Sequence, residues 1–359
     1  MSCLDDDLRA ITEFTTMSGP GRGLAVCPSL DLLATSDTSD RTVSVYEFPV
    51  SKGRGAAPKS GGLRLLYMFK VTEGPEFCAY GTLGCLAFTP PGDETRAARP
   101  LLLVIDSRQQ AVHVVDVIDR VHVGYVAAPG TVDGPQGVAV SLDGSLVAVS
   151  TCPTGTFQGS GAIGVKDDAI LLYRNCGGTA AAAWEKVRVI RGGLNQPLGL
   201  RFTRDGTAIC VANLRYSCAS LFRVADGVLV RHVAFVPRRG LRDLEEVEGG
   251  WLLACPSIDS AGYVGFGSNT DPECREAVPW WPRCCLTEPP ANPTSLAVVP
   301  GYGVVVREFG QFGRLQVFTT PDAMAMAAMS RLRVAWMFAV VSRGRHPAPK
   351  TAAAVDVKL

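Results

Sequence analysis

Two sets of side chains in this sequence could do chemistry. Asp37, Asp106, Asn213 and Glu308 each close a short apolar run, at corresponding places in successive stretches of the chain. If those run ends meet in the fold, their carboxylate and amide oxygens form an oxygen-rich mouth of the kind that suits a hard cation. Lys166, Asp167, Asp168, Arg215 and Tyr216 lie instead in polar segments between apolar runs. Loops on a rigid frame commonly carry binding groups, so these five are the expected contacts for a partner, and solvated loop charges are the plainer reading of each. A nucleophile with its base is harder to find, because no Gly-x-Ser-x-Gly elbow occurs. Of the 4 histidines, His113, His122 and His232 sit in strand-like runs and His346 near the C-terminus, which suggests structural roles. Gly155, Gly159, Gly161 and Gly164 lack the Gly-Lys-Ser/Thr of a phosphate loop. The 12 cysteines are scattered without a C-x-x-C pair, so most read as buried thiols, with vicinal Cys284-Cys285 a redox candidate.

The elements that would position these residues recur. Units open at Gly23-Leu24-Ala25-Val26, Gly84-Cys85-Leu86-Ala87-Phe88, Gly137-Val138-Ala139-Val140, Gly199-Leu200-Arg201-Phe202, Gly240-Leu241 and Ser295-Leu296-Ala297-Val298. Their spacing of roughly 40 to 60 residues fits one four-stranded blade each. Units three and four place Asp143-Gly144 and Asp205-Gly206 between two apolar runs, a hairpin signal because glycine accepts positive φ. Third runs such as Thr42–Tyr46 and Ala169–Tyr173, and outer runs such as Leu63–Lys70 and Trp184–Ile190, complete the units. The fourth run of unit five is ill-defined around Cys274–Leu286. Unit six has no fourth run before the Ala/Met-rich segment, and Leu8–Phe14 is an unassigned strand-like run at the other end. The expectation is an all-β, six-bladed propeller closed by residues 8–14, which removes exposed sheet edges.

The pattern Pro-x-Gly-Leu-Ala-Val, Asp-Gly turn, then Arg-x-Val-x-Val-Tyr resembles the NHL repeat family of six-bladed propellers, best kept in 21–48, in 135–150 with 168–173, in 197–223 and in 293–318. The resemblance implies a recognition domain for a protein or peptide, with RNA possible, and makes Asp37 and Asp106 turn formers whose carboxylates accept backbone N–H groups. A more distant similarity to calcium-dependent lactonases and arylesterases implies a metal at the channel mouth. Asp37, Asp106, Asn213 and Glu308 are the ligands it would need. That signature has asparagine before a blade-opening glycine, where this chain has Leu198 and Gln136. Leucine cannot coordinate calcium, so no metal and no cofactor is expected. The preferred reading is a non-enzymatic binding module working through its loop-rich face; the alternative is the calcium-dependent hydrolase.

Composition fits one closed β domain: 359 residues, 47% hydrophobic, 19% charged, 38 Gly and 24 Pro. A net charge of +1 gives no general reason to bind nucleic acid or an acidic membrane. Residues from Arg331 onward carry +5, leaving about −4 for the rest. The acidic start Asp5-Asp6-Asp7 lacks the basic flank and apolar run of a secretory signal, so a cytoplasmic location is expected. No membrane span is expected, since Arg331 and Arg333 interrupt the best stretch, Ala323–Val341. The expected domains are a propeller over 1–321, a helix or extended segment over 322–342 and a disordered tail over 343–359, with oligomeric state open.

The longest loop between second and third strands, Pro153–Asp168, has few apolar side chains and joins strands already anchored in a blade. Replacing Thr154–Lys166 by a short Gly-Ser turn is expected to leave thermal unfolding nearly unchanged while lowering recovery of bound partners from extract.

Overall fold

The computed structural model describes residues 12–15, 22–38, 41–48, 63–71, 83–91, 99–153, 168–177, 184–236, 240–247, 250–256, 263–268, 278–279, 292–299, 303–308 and 314–319. Strand β1 (Thr12–Thr15) precedes the first blade, which is β2 (Leu24–Cys27), β3 (Leu32–Ser36), β4 (Thr42–Glu47) and β5 (Arg64–Lys70). The second comprises β6 (Leu83–Phe88), β7 (Leu102–Asp106), β8 (Ala111–Asp116) and β9 (Val121–Ala127). The third comprises β10 (Pro135–Val140), β11 (Leu146–Thr151), β12 (Ala169–Asn175) and β13 (Trp184–Ile190). Then come β14 (Pro197–Phe202), β15 (Ala208–Asn213), β16 (Cys218–Arg223) and β17 (Leu229–Phe235). The fifth has β18 (Asp243–Val247), β19 (Gly250–Cys255), β20 (Tyr263–Ser268) and the two-residue β21 (Val278–Pro279). The last has β22 (Pro293–Val299), β23 (Gly303–Glu308) and β24 (Arg314–Thr319).

Each set is an antiparallel meander, and β1 supplies the fourth strand of the last sheet by pairing with β24, Thr12 opposite Val317 and Thr15 opposite Arg314. The ring is thus closed by the N-terminal strand, and no blade is left with three strands. Residues 8–11 of the expected closing run, the helix over 322–342 and the tail over 343–359 lie outside the described residues, as do Cys284 and Cys285.

The core lies between neighbouring sheets. Ala34, Val43 and Val45 of the first blade pack with Leu83, Leu102 and Val104 of the second, and Val112 and Val114 with Val138, Val147 and Val149 of the third. Matching clusters join the third to the fourth, the fourth to the fifth, and the sixth to the first through Val299 and Val305 against Leu24 and Leu33. Each fully buried Val or Leu contributes about 1.5–3 kcal/mol, so β-branched runs facing both neighbours are what the architecture demands. Asp143 builds its hairpin as its spacing implies: Oδ1 accepts from Ser141 Oγ at 2.6 Å and Ser145 N at 3.0 Å, and Gly144 takes φ 70°.

The innermost strands approach closely. Ser36 Oγ accepts from Gly23 N at 2.9 Å and donates to Gly84 O of the next blade at 2.9 Å. Ser150 repeats the bridge, from Gly137 N at 2.9 Å to Leu198 O at 2.5 Å. Where the fourth blade lacks this serine, Gly199 N donates straight to Arg242 O at 2.8 Å. At the ring closure, Arg307 stands in its place, fully buried, with Nη1 donating to Gly23 O at 2.9 Å. A Cβ at Gly137 would lie 2.1 Å from Leu198 O and 2.7 Å from Leu200 Cδ2, so only glycine fits. Gly137→Ala is expected to cost about 1–3 kcal/mol by forcing the third and fourth blades apart, read as a lower urea midpoint.

Candidate functional site

Four innermost strands carry a register shift near their start, at Leu83/Leu86, Pro135/Gly137, Pro197/Leu200 and Pro293/Ser295. A bulge re-aims a side chain, and these four blades bring Gly84, Gln136, Leu198 and Thr294 to the axis. The outcome is a ring with one position from each blade: Arg22, Gly84, Gln136, Leu198, Arg242 and Thr294, with Cys85 beside Gly84. They enclose a cavity of about 20 Å³, room for one water-sized group. This mouth opens on the face that bears the loops between second and third strands, because each innermost strand starts where its antiparallel neighbour ends.

The mouth is cationic. Burial lowers the Arg242 pKa to about 10, and repulsion from Arg22 adds to the shift. Burial lowers Arg22 as well, with Cys85 opposing. The Cys85 thiol is pushed up to about 12, first by desolvation and then by Asp243, against the pull of Arg201, Arg22 and Arg242. A thiol held protonated at neutral pH is no nucleophile.

Further along the axis an ion cluster spans the channel. Arg201 Nε donates to Glu245 Oε2 at 2.7 Å, and Nη1 lies 3.4 Å from Asp243 Oδ1. Asp243 Oδ2 also accepts from Ser295 Oγ at 2.6 Å and Leu296 N at 3.0 Å, tying the fifth blade to the sixth. Gly199 makes room for it, since a Cβ there would lie 2.3 Å from Asp243 Oδ1. Burial works against the Arg201 charge, yet Asp243 and Glu245 raise its pKa overall, so this guanidinium stays charged.

The oxygen-bearing residues singled out in the sequence occupy separate structural posts. Asp106, buried between the first two blades, takes Arg41 Nη2 at 2.6 Å on Oδ2 and the N–H groups of Arg108 and Gln109 at 2.9 and 3.0 Å on Oδ1. It is thus the turn former that the repeat resemblance implies. Asn213 Oδ1 accepts from Asn195 N at 3.1 Å, and its Nδ2 donates to Ser220 Oγ at 2.9 Å. Asp37 is buried and acts electrostatically on Arg307, and Glu308 is buried at the end of β23. Among the described residues no three His, Cys, Asp or Glu side chains form a metal-holding group. Of the expected partner contacts, Asp168 is 3% exposed, with Oδ2 accepting from Gln196 N at 2.6 Å, whereas Arg215 and Tyr216 are exposed on the turn between β15 and β16. Lys166 and Asp167 lie outside the described residues.

His232 Nδ1 lies 3.0 Å from Ser220 Oγ, which also takes the Asn213 amide, so a serine, a histidine and an asparagine do meet. Ser220 is fully buried within β16, with no room for a substrate, and the chain of hydrogen bonds serves the sheet. Arg22, Arg242, Arg201, Asp243 and Glu245 were not evident from the sequence as a site. The signal was present: Arg22, like Gln136 and Leu198, immediately precedes a blade-opening glycine, and Arg242 immediately precedes Asp243 at the start of β18.

No protein-family model and no curated protein sequence matches this chain. Among solved structures it is similar to a crystal structure assigned as a gluconolactonase, with TM-score 0.54 and 12% identity over 88% of this chain and 94% of that one. At that identity the likeness is one of fold: a β-propeller. The donor set does not suit calcium. Among the described residues the channel mouth offers two guanidiniums and no carboxylate, and the carboxylates deeper in the channel are engaged by Arg201 and Ser295. Among the described residues no helix is long and apolar enough to cross a membrane.

Desolvation pushes the Asp106 pKa up, but His113, the Gln109 N–H and Arg41 outweigh it, so its folded value lies below the usual carboxylate range. The stability this contributes is full above the unfolded value of about 3.9 and is lost as pH falls through the lower folded value. Asp106→Asn is expected to destabilise by about 3 kcal/mol at neutral pH. It should also flatten the acid limb of a urea-stability profile.

Proposed function

We propose that this protein is a non-enzymatic recognition propeller of NHL type that takes an acidic segment of a protein or peptide on its channel-mouth face. Arg22 and Arg242 receive a carboxylate, and exposed Arg215 and Tyr216 extend the contact along the β15–β16 turn. The observation that supports this reading is the six-position ring, which among the described residues holds two arginines and no acid. A concave mouth lined by one sign of charge concentrates counter-charged ligands, and burial strengthens the attraction. Lys166 and Asp167 join the proposal only through their place in the long loop after β11. Asp168 contributes by holding the start of β14 rather than by touching the partner.

The test is titration of a labelled octaglutamate peptide at low and physiological salt. Loss of one charge-assisted contact in Arg242→Ala should weaken binding about tenfold, since such contacts are worth about 1.5–3 kcal/mol. Arg215→Glu should weaken it less and mostly at low salt. Undiminished binding by both variants would remove the acidic-segment reading. If ribonuclease releases the protein from its partners in extract, the same cations serve an RNA backbone instead.

The second reading, a calcium-dependent hydrolase, draws on the gluconolactonase-like fold. It needs preferential binding of calcium to the folded protein, so micromolar calcium should raise the melting temperature. We expect no such rise and no lactone hydrolysis; a reproducible rise lost in Asp37→Ala or Asn213→Ala would favour the enzyme.

A further inference from the structure

The opposite end of the channel is unlike the cationic mouth. There the ends of the six innermost strands and their hairpins surround a vestibule of about 330 Å³, at the lower end of the range of small-molecule pockets. Val26, Phe88, Val140, Phe202 and Val298 contribute to its walls, and Leu142, 74% exposed, stands at its edge. Its polar groups all come from the fourth and fifth blades: Thr203, Arg204, Arg201, Glu245 and Glu246. Arg201 is fully engaged, by Glu245, by Asp243 and by the Leu200 and Leu296 carbonyls at 2.8 and 3.3 Å. Thr203 Oγ1 is bound to Asp205, and Glu246 Oε2 accepts from Arg204 N at 2.7 Å. Glu245 gives Arg201 only Oε2; Oε1 has no hydrogen-bond partner among the described residues although the side chain lines the vestibule. Around this space Asp243, Glu245 and Glu246 stand against Arg201 and Arg204, one negative charge in excess.

We propose that this vestibule binds a compact apolar amine, its hydrocarbon body against the apolar walls and its ammonium donating to Glu245 Oε1. A carboxylate oxygen accepts and cannot donate, so a ligand carboxylate is rejected, and an alcohol gains one neutral-donor contact where an ammonium gains a charge-assisted one. Desolvation raises the Glu245 pKa, with Asp243 adding to it against Arg201, which is the strain an ammonium would relieve. The site is independent of the acidic-segment reading, since it lies beyond the Arg201 cluster at the other mouth.

The test uses three probes of one shape on the full chain by titration calorimetry: 2-phenylethylamine, 2-phenylethanol and 3-phenylpropanoate. The amine is expected to bind at least about tenfold more tightly than the alcohol and the acid to bind least. Glu245→Gln should erase the preference for amine while sparing the alcohol, and Val298→Trp, which fills the vestibule, should abolish both. Should Glu245→Gln fail to fold, Leu142→Arg places a cation at an exposed edge position and should weaken the amine alone. Absence of binding by all three probes at millimolar concentration, an acid that binds as well as the amine, or full binding by folded Val298→Trp would overturn the proposal. Displacement of the amine by octaglutamate would overturn its placement at this end.

Discussion

The close approach of the innermost strands is the constraint on which this propeller depends. Six strands can surround an axis only if something at each contact point lets two backbones pass, and the chain solves this with glycine and a bridging polar atom. Gly23 and Gly137 leave space for the Ser36 and Ser150 hydroxyls, which satisfy one blade's N–H and the next blade's carbonyl together. A buried backbone group without a partner costs about 1–3 kcal/mol, so these bridges also prevent a penalty at each interface. The sheets' hydrophobic faces then meet at a fixed distance, and the apolar clusters follow from it.

The departures from that solution create the chemistry of the channel. Asp243 replaces the expected small residue in the fifth blade and brings a carboxylate to the axis, which in turn requires Arg201 across from it. Arg307 replaces the serine at the ring closure, where its Nε and Nη2 have no hydrogen-bond partner among the described residues and burial lowers its pKa to about 10. A charge so placed closes the ring at a cost that the surrounding apolar packing offsets. The channel thus acquires polarity along its length: Arg22 and Arg242 at one end, the Arg201 cluster between, and an apolar vestibule with surplus carboxylate at the other.

That polarity is a property of this chain's own residues and does not follow from its fold. Fold likeness at 12% identity fixes the arrangement of strands and leaves the chemistry to the residues at the axis. Gln136 and Leu198 already removed the asparagine of the lactonase-like signature, and the two arginines that complete the ring make the mouth repulsive to a dication.

The sequence by itself determined the architecture. Period-two apolar runs, Asp-Gly turns and the recurring blade-opening glycines are local signals, and each encodes its own strand or hairpin; the missing fourth run of the last blade even implied closure from the N-terminus. It also identified Asp106 as a turn former, because an aspartate's reach to the next N–H groups is a short-range property. What only the tertiary structure decided is which residues share the axis. Arg22 and Arg242 are 220 positions apart, and they line one cavity because the ring of blades brings the starts of their innermost strands to a common axis, which has no local pattern. The same holds for the Asn213, Ser220 and His232 contact, which needs three strands in register, and for Asp37, Asp106, Asn213 and Glu308. Equivalent places in the repeat put these four at or just after the ends of the second strands of their blades, and what each meets there is set by its neighbours in space, as Arg41 is for Asp106.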